Sequence, residues 1–260
     1  MENGNSKLSP SFARPAAGLT LLQFIAAAGI IGFGSYLTGA LGFGIGMIAA
    51  PLLMLVDPVF VPAPILIIST AVTVLGIIRD RTEIDFKGSG WALAGRVPGT
   101  AVGAIGVAAF SAPVLGLAVS LSVLFGVLMS SLDLVPRRNS RALFLAGALS
   151  GLMSTLAAIG GPPMVFIWQG APLAQRRAAL AVFFTAGSVM SVGALLAVGA
   201  IDRLQLMISA VLAPVAVASY LLGVFTPGFR HDAATKLAAL ALCTFAGLVL
   251  LAKSILAIHW

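Results

Sequence analysis

The sequence predicts an all-α polytopic membrane protein of two inverted repeats, each a glycine-broken helical hairpin followed by three transmembrane helices. Three observations carry that reading. Of 260 residues, 60% are hydrophobic and 9% charged, against about 25% charged in a soluble domain. The mean hydropathy of +1.09 is spread along nearly the whole chain, which excludes both a soluble globule and a single-pass receptor. Finally, a block order of one glycine-broken segment and three plain ones occurs twice, the pattern of an internal repeat.

The apolar blocks run Leu19–Val56, Val59–Ile78, Gly90–Phe110, Pro113–Leu132, Ala142–Gln169, Ala178–Ile201, Leu204–Phe225 and Thr235–Ile258. A hydrocarbon core of about 30 Å takes roughly 20 apolar residues per helical pass. The blocks are hydrophobic all round and too continuous for alternating barrel strands, so helices must satisfy their backbone in lipid. Residues 1–18 form a polar tail, 19–132 the first repeat, 133–141 a basic connecting loop and 142–260 the second repeat. Lys7 and Arg14 ahead of Ala26-Ala27-Ala28 weakly resemble a signal peptide. The apolar run continues past that point, and a retained anchor is expected.

Gly42-Phe43-Gly44-Ile45-Gly46 overlays Ala158-Ile159-Gly160-Gly161-Pro162; at nearly the same offset Asp85 overlays Asp202 and Pro98 overlays Pro214. If each broken block enters and leaves on one side, Arg79, Arg81, Lys87, Arg137, Arg138, Arg141, Arg176, Arg177, Arg230 and Lys236 share a face. Lys7, Arg14, Arg203 and Lys253 share the other. The positive-inside rule makes the first face cytoplasmic, with both termini outside it. The net charge of +7 is thus topological and implies no nucleic-acid partner. Leu19–Val56 is too long for one pass, whereas Ala142–Gln169 could re-enter or cross as one tilted helix.

Within the broken blocks, Gly39, Gly42, Gly44 and Gly46 precede Pro51, and Gly160 and Gly161 precede Pro162 and Pro163. Glycine lets a backbone unwind, and proline suits a helix's first turn. Unwound backbone is tolerated in a membrane where protein buries it or where it lines a cavity. Helices restarting there would aim free N–H groups and positive dipole ends at an anion near the midplane. The competing reading is close helix packing, since Gly42 and Gly46 also fit small-xxx-small spacing. The eight acidic residues fall at block ends, in loops or in the tail, so no carboxylate stands ready for a cation or proton. Arg96 is the one charge inside a block: an anion-attracting group, or an arginine that snorkels to the interface.

Ser69, Thr70 and Thr73, with Thr185, Ser188 and Ser191 opposite, supply hydroxyls for a polar pocket or for bonds to their own helices. Trp168 reads as an interfacial anchor, beside Gln169. His231 and His259 read as solvated. Cys243 is the only cysteine, so neither a metal cluster nor a nucleophile–base pair can be assembled. No cofactor, metal or enzymatic activity is expected. The site residues that emerge are Gly42, Gly44, Gly46, Thr70, Arg96, Gly160, Gly161, Pro162 and Ser188. The expected partners are a small anion and the lipid bilayer, with a homodimer left open.

Gly39-Ala-Leu-Gly-Phe-Gly-Ile-Gly46 leading to Pro51, and Gly151-Leu-Met-Ser-Thr-Leu-Ala-Ala-Ile-Gly-Gly-Pro-Pro163, resemble the paired glycine motifs of the TauE/SafE sulfite exporter family. Gly95-Arg-Val-Pro-Gly99 with Gly103 and Gly106 is similar to that family's segment late in the first half. The resemblance spans the chain from about Leu19 onward. It implies a transporter of sulfite, sulfoacetate or another organosulfonate, built from two related halves, acting as an exporter in a bacterial inner membrane. Ile45 and Ala158 stand where the family often has glycine, which would narrow backbone freedom at the site. A passive anion channel and a membrane assembly subunit remain as alternatives.

Overall fold

The computed structural model describes residues 19–41, 44–79, 86–132, 136–226 and 233–259. The N-terminal tail, Gly42, Asp85 and His231 lie outside them. The described residues form helices α1 (Leu21–Leu41), α2 (Ile45–Val56), α3 (Ala63–Arg79), α4 (Phe86–Ala109) and α5 (Ala112–Ser131). The second half supplies α6 (Ser140–Ala157), α7 (Gly161–Ile167), α8 (Leu173–Ala197), α9 (Arg203–Phe225) and α10 (Ala233–His259). Among the described residues, eight stretches are long and apolar enough to span a bilayer; α2, with 12 residues, and α7, with seven, are not.

Polar residues between the blocks start several helices. The backbone N–H of Gln23 donates to Thr20 Oγ1 at 3.2 Å while that of Thr20 donates to Gln23 Oε1 at 2.9 Å, a reciprocal cap on α1. Asp202 and Gln205 repeat the device on α9. Asn139 Oδ1 accepts the Ala142 N–H at 2.9 Å at the head of α6. After α2, Asp57 Oδ1 accepts from Val59 N–H and turns the chain through the short 3-10 helix Pro58–Phe60.

Both broken blocks are hairpins with unequal arms. Gln23 Nε2 donates to Val56 O at 3.5 Å, so α2 returns along α1. Ala142–Gln169 is not one tilted helix: Ser150 Oγ donates to Gly160 O, and the Arg138 guanidinium sits 4.4 Å above the Trp168 ring, so α7 returns along α6. The longer arms, α1 and α6, reach spanning length, and the returning arms α2 and α7 do not. Nothing in either arm breaks the α-helical pattern before the glycine cluster.

Glycines set the closest crossings. A Cβ at Gly95 would overlap the Phe144 carbonyl, one at Gly99 the Ala148 carbonyl and one at Gly147 the Ala92 carbonyl, so α4 and α6 run parallel in backbone contact. α1 and α9 run parallel in the same way, with Gly39 on Tyr220 and Gly223 on Tyr36. α3 is antiparallel to α8, where Gly76 meets Ala181 and Thr185 Oγ1 donates to Thr73 Oγ1 at 2.8 Å. α5 is antiparallel to α10, where Gly116 meets Ser254 and Gly247 meets Val123. Without a hydrophobic drive between helices in lipid, such small-residue contacts hold a bundle together. Leu222, Phe225, Leu237 and Phe245 stay exposed on the outside.

Candidate functional site: a cavity between two helix breaks

The two breaks meet. A Cβ on Gly46 would overlap the carbonyl oxygen of Ala158, so the start of α2 rests on the bend between α6 and α7. Around this contact lies a cavity of about 710 Å³. Gly44, Gly46, Gly160, Gly161 and Pro162 line it, with Ser69 and Thr73 of α3, Ser154 of α6, Ser188 of α8 and Tyr220 of α9. No acidic side chain is among its described lining.

The first break turns at Gly44, with φ 87 and ψ 136, a conformation close to glycine-only territory. The α2 N-terminus has no side-chain cap. The N–H groups of Ile45, Gly46 and Met47 therefore lack partners within their own helix, and all three residues line the cavity. Ile45 is already helical and needs no glycine freedom. The second break turns at Ala158, φ 58 and ψ 21, so alanine occupies the left-handed region, at a cost of about 1–2 kcal/mol. α7 has no side-chain cap either. Its first turn, however, holds Pro162 and Pro163, which carry no N–H, so Gly161 is its one donor there. The expected pair of equal dipole ends is thus lopsided, and α2 carries most of the donors.

Gly44 has no other atom within 4 Å of an added Cβ, so strain alone would act there. Gly44→Ala is expected to lower stability by about 1–3 kcal/mol and weaken anion binding, measured by thermal unfolding with and without ligand. Wild-type behaviour in both would show that the turn is not needed.

Arg96 does not snorkel. It is 0% exposed and lies behind the cavity wall. Its Nη2 donates to Ser154 Oγ at 2.8 Å and to Ser191 Oγ at 3.5 Å, and the guanidinium stands 4.8 Å over the Phe183 ring. Gly187 makes room, since a Cβ there would overlap the guanidinium. Among the described residues, Nε and Nη1 have no hydrogen-bond partner. A cation so buried, with Ser154 between it and the cavity, projects a positive field into that space.

Thr70 stands apart. It lines an outer groove with Val189 and Gly193, and its Oγ1 donates to Leu66 O at 2.9 Å. Its neighbours Ser69 and Thr73 face the cavity, because Leu66, Ser69, Thr73 and Gly76 follow one helical face. Trp168 is no interfacial anchor: it is 0% exposed, packed with Leu143 and Met164 beneath Arg138. Also lining the cavity are Gln169, Arg79, Arg176 and Arg177, the arginines having been read only as topological charges.

The sequence profile described as sulfite exporter TauE/SafE matches residues 25–250. The chain belongs to the TauE/SafE sulfite exporter family. A protein of Cupriavidus necator named as a probable sulfite/organosulfonate exporter TauE is 27% identical over 230 residues, covering 84% of this chain and 90% of that one. No solved structure matches. The TauE/SafE membership and the eight apolar spans among the described residues make this a multi-pass membrane protein.

Proposed function

We propose that the protein is a secondary transporter that exports a small sulfur oxyanion or organosulfonate by alternating access. The anion would sit between the Gly44–Gly46 turn and the Gly160–Gly161 turn, hydrogen-bonded by backbone N–H groups and attracted by Arg96. The observation that carries the reading is the meeting of the two distant breaks in one cavity lined by cations and hydroxyls, without a described carboxylate. The relative's name supplies the substrate class.

An inverted relation between the halves is part of the proposal. Exchanging them turns the α1–α9 pair into the α6–α4 pair and leaves α3–α8 and α5–α10 as they are. Each half has five helices, so alternating direction would run the second half opposite to the first. Packing accounts for Gly95, Gly99 and Gly147, but Gly44 touches nothing an added Cβ would reach, which favours a site over packing alone. The arginine-bearing end is proposed to be cytoplasmic by the positive-inside rule, in a bacterial inner membrane. A negative interior then assists anion exit by about 2.3 kcal/mol per charge per 100 mV.

Purified protein in liposomes loaded with labelled sulfite, sulfoacetate or taurine separates the readings. A transporter shows efflux accelerated by the same unlabelled anion outside. A channel shows gradient-driven flux without that acceleration, and no flux of any of these anions would overturn the substrate reading. Binding at about 100 times Kd should also raise stability by about 2.7 kcal/mol, with chloride as the control.

A further inference from the structure

At one end of the molecule the cavity reaches the end of α3, the end of α5 and the opening turns of α8. Arg79, Arg176 and Arg177 line it there, beside Ser130 and Gln169. The α3–α8 pairing brings these cations together, since Gly76 meets Ala181 close to both helix ends. All three are arginines, whose planar forks match the oxygens of a sulfonate or similar oxyanion in a way a lysine's point charge does not. The glycine breaks lie elsewhere in the same cavity, so the two groups can act in sequence.

We propose that Arg79, Arg176 and Arg177 form an outer anion-capture site that takes a sulfonate-type oxyanion at the cavity mouth before it reaches the helix breaks. The inference deepens the proposed function and rests on it. Concentrating anions at the mouth raises their rate of arrival and leaves final recognition to the backbone donors.

The test reads local potential without requiring transport. Cys243 is the only cysteine in the chain, so a Cys243→Ala background can carry a single reporter at Ser130→Cys. A second reporter at Ser111→Cys, exposed between α4 and α5 at the opposite end, serves as reference. In detergent, the rates of thiol modification by anionic sulfonatoethyl methanethiosulfonate and its cationic trimethylammonium counterpart are compared. The anion-to-cation rate ratio at Ser130→Cys should exceed that at Ser111→Cys by about tenfold or more at low salt. It should shrink at about 1 M salt, where the Debye length is about 3 Å. Combining Arg79→Gln, Arg176→Gln and Arg177→Gln should bring it to the reference value.

If the triple variant is not monodisperse, Arg176→Gln alone decides, with an expected drop of about twofold or more. Equal ratios at the two reporters, an unreactive Ser130→Cys, or a ratio untouched by the substitutions would each overturn the capture site. A ratio that behaves as expected, while liposomes exchange none of the sulfur anions, would leave the mouth site standing and remove the transport reading.

Discussion

Gly46→Ala is expected to cost at least tenfold in anion flux and to lower stability, more than any other single methyl added at the site. The added Cβ would overlap a backbone carbonyl, that of Ala158, with the Ala158 carbon only 2.8 Å away. No flexible side chain can move aside, so the two breaks must separate. Overpacking of this kind costs about 1–3 kcal/mol, and it would fall on the contact that shapes the proposed anion site. Gly29→Ala is the matched control: that glycine lies within α1, and nothing stands within 4 Å of an added Cβ. It should leave flux unchanged and favour the helix by up to about 1 kcal/mol. Exchange assays and thermal unfolding on the pair decide the matter. Wild-type exchange by Gly46→Ala would mean that the touching breaks do not hold the substrate.

Arg96→Met is expected to separate binding from folding. Methionine is unbranched and apolar, so it can fill much of the space against Phe183 and Gly187, and it removes the desolvation cost of a buried charge. The loss would fall on the anion. At roughly 8 Å and an effective dielectric of about 20, a unit charge is worth about 2 kcal/mol to an anion, or about 30-fold in Kd. Because the charge is buried, salt should weaken this effect less than it weakens the effect of the mouth arginines. Arg96→Lys keeps the charge but loses the planar stacking over Phe183, so binding should fall less than in Arg96→Met. Calorimetric titration with sulfite or sulfoacetate gives the affinities, and thermal unfolding gives the stability. Unchanged affinity in Arg96→Met, with a marked loss of stability, would make Arg96 a structural strut.

Thr70 and Arg96 show where reading residues one at a time stops. Both look like polar groups inside apolar helices, and both were expected to meet the anion. Thr70 lies about 100° round α3 from Ser69 and about 60° from Thr73; it lines the outer groove and bonds its own helix. Arg96 is screened from the cavity by Ser154, which lies on a different helix. Spacing alone did not settle the first displacement, because Thr70 also stands four residues from Leu66 and three from Thr73. The second depends on the α4–α6 crossing, which no local pattern contains.

The sequence by itself determined that the chain is helical, that it lies in a membrane, and where it breaks. Those properties follow from hydrophobicity, glycine freedom, proline's missing N–H and the polar residues that cap helix ends, all local chemistry. The Thr20–Gln23 and Asp202–Gln205 pairs, the Gly44 turn and the division of Leu19–Val56 belong to this class, whereas the division of Ala142–Gln169 was settled by the return of α7 along α6. Tertiary structure decided what the breaks face. Gly46 meets Ala158 because two hairpins, widely separated in the chain, pack against each other with no Cβ at the point of contact. Arg79, Arg176 and Arg177 reach one cavity because α3 and α8 run antiparallel. Burial of Trp168 beneath Arg138 likewise depends on the return of α7 along α6. Contacts of this sort are set by which helix surfaces fit closely enough for dispersion and backbone approach to hold them together, and that fit is a property of pairs of segments.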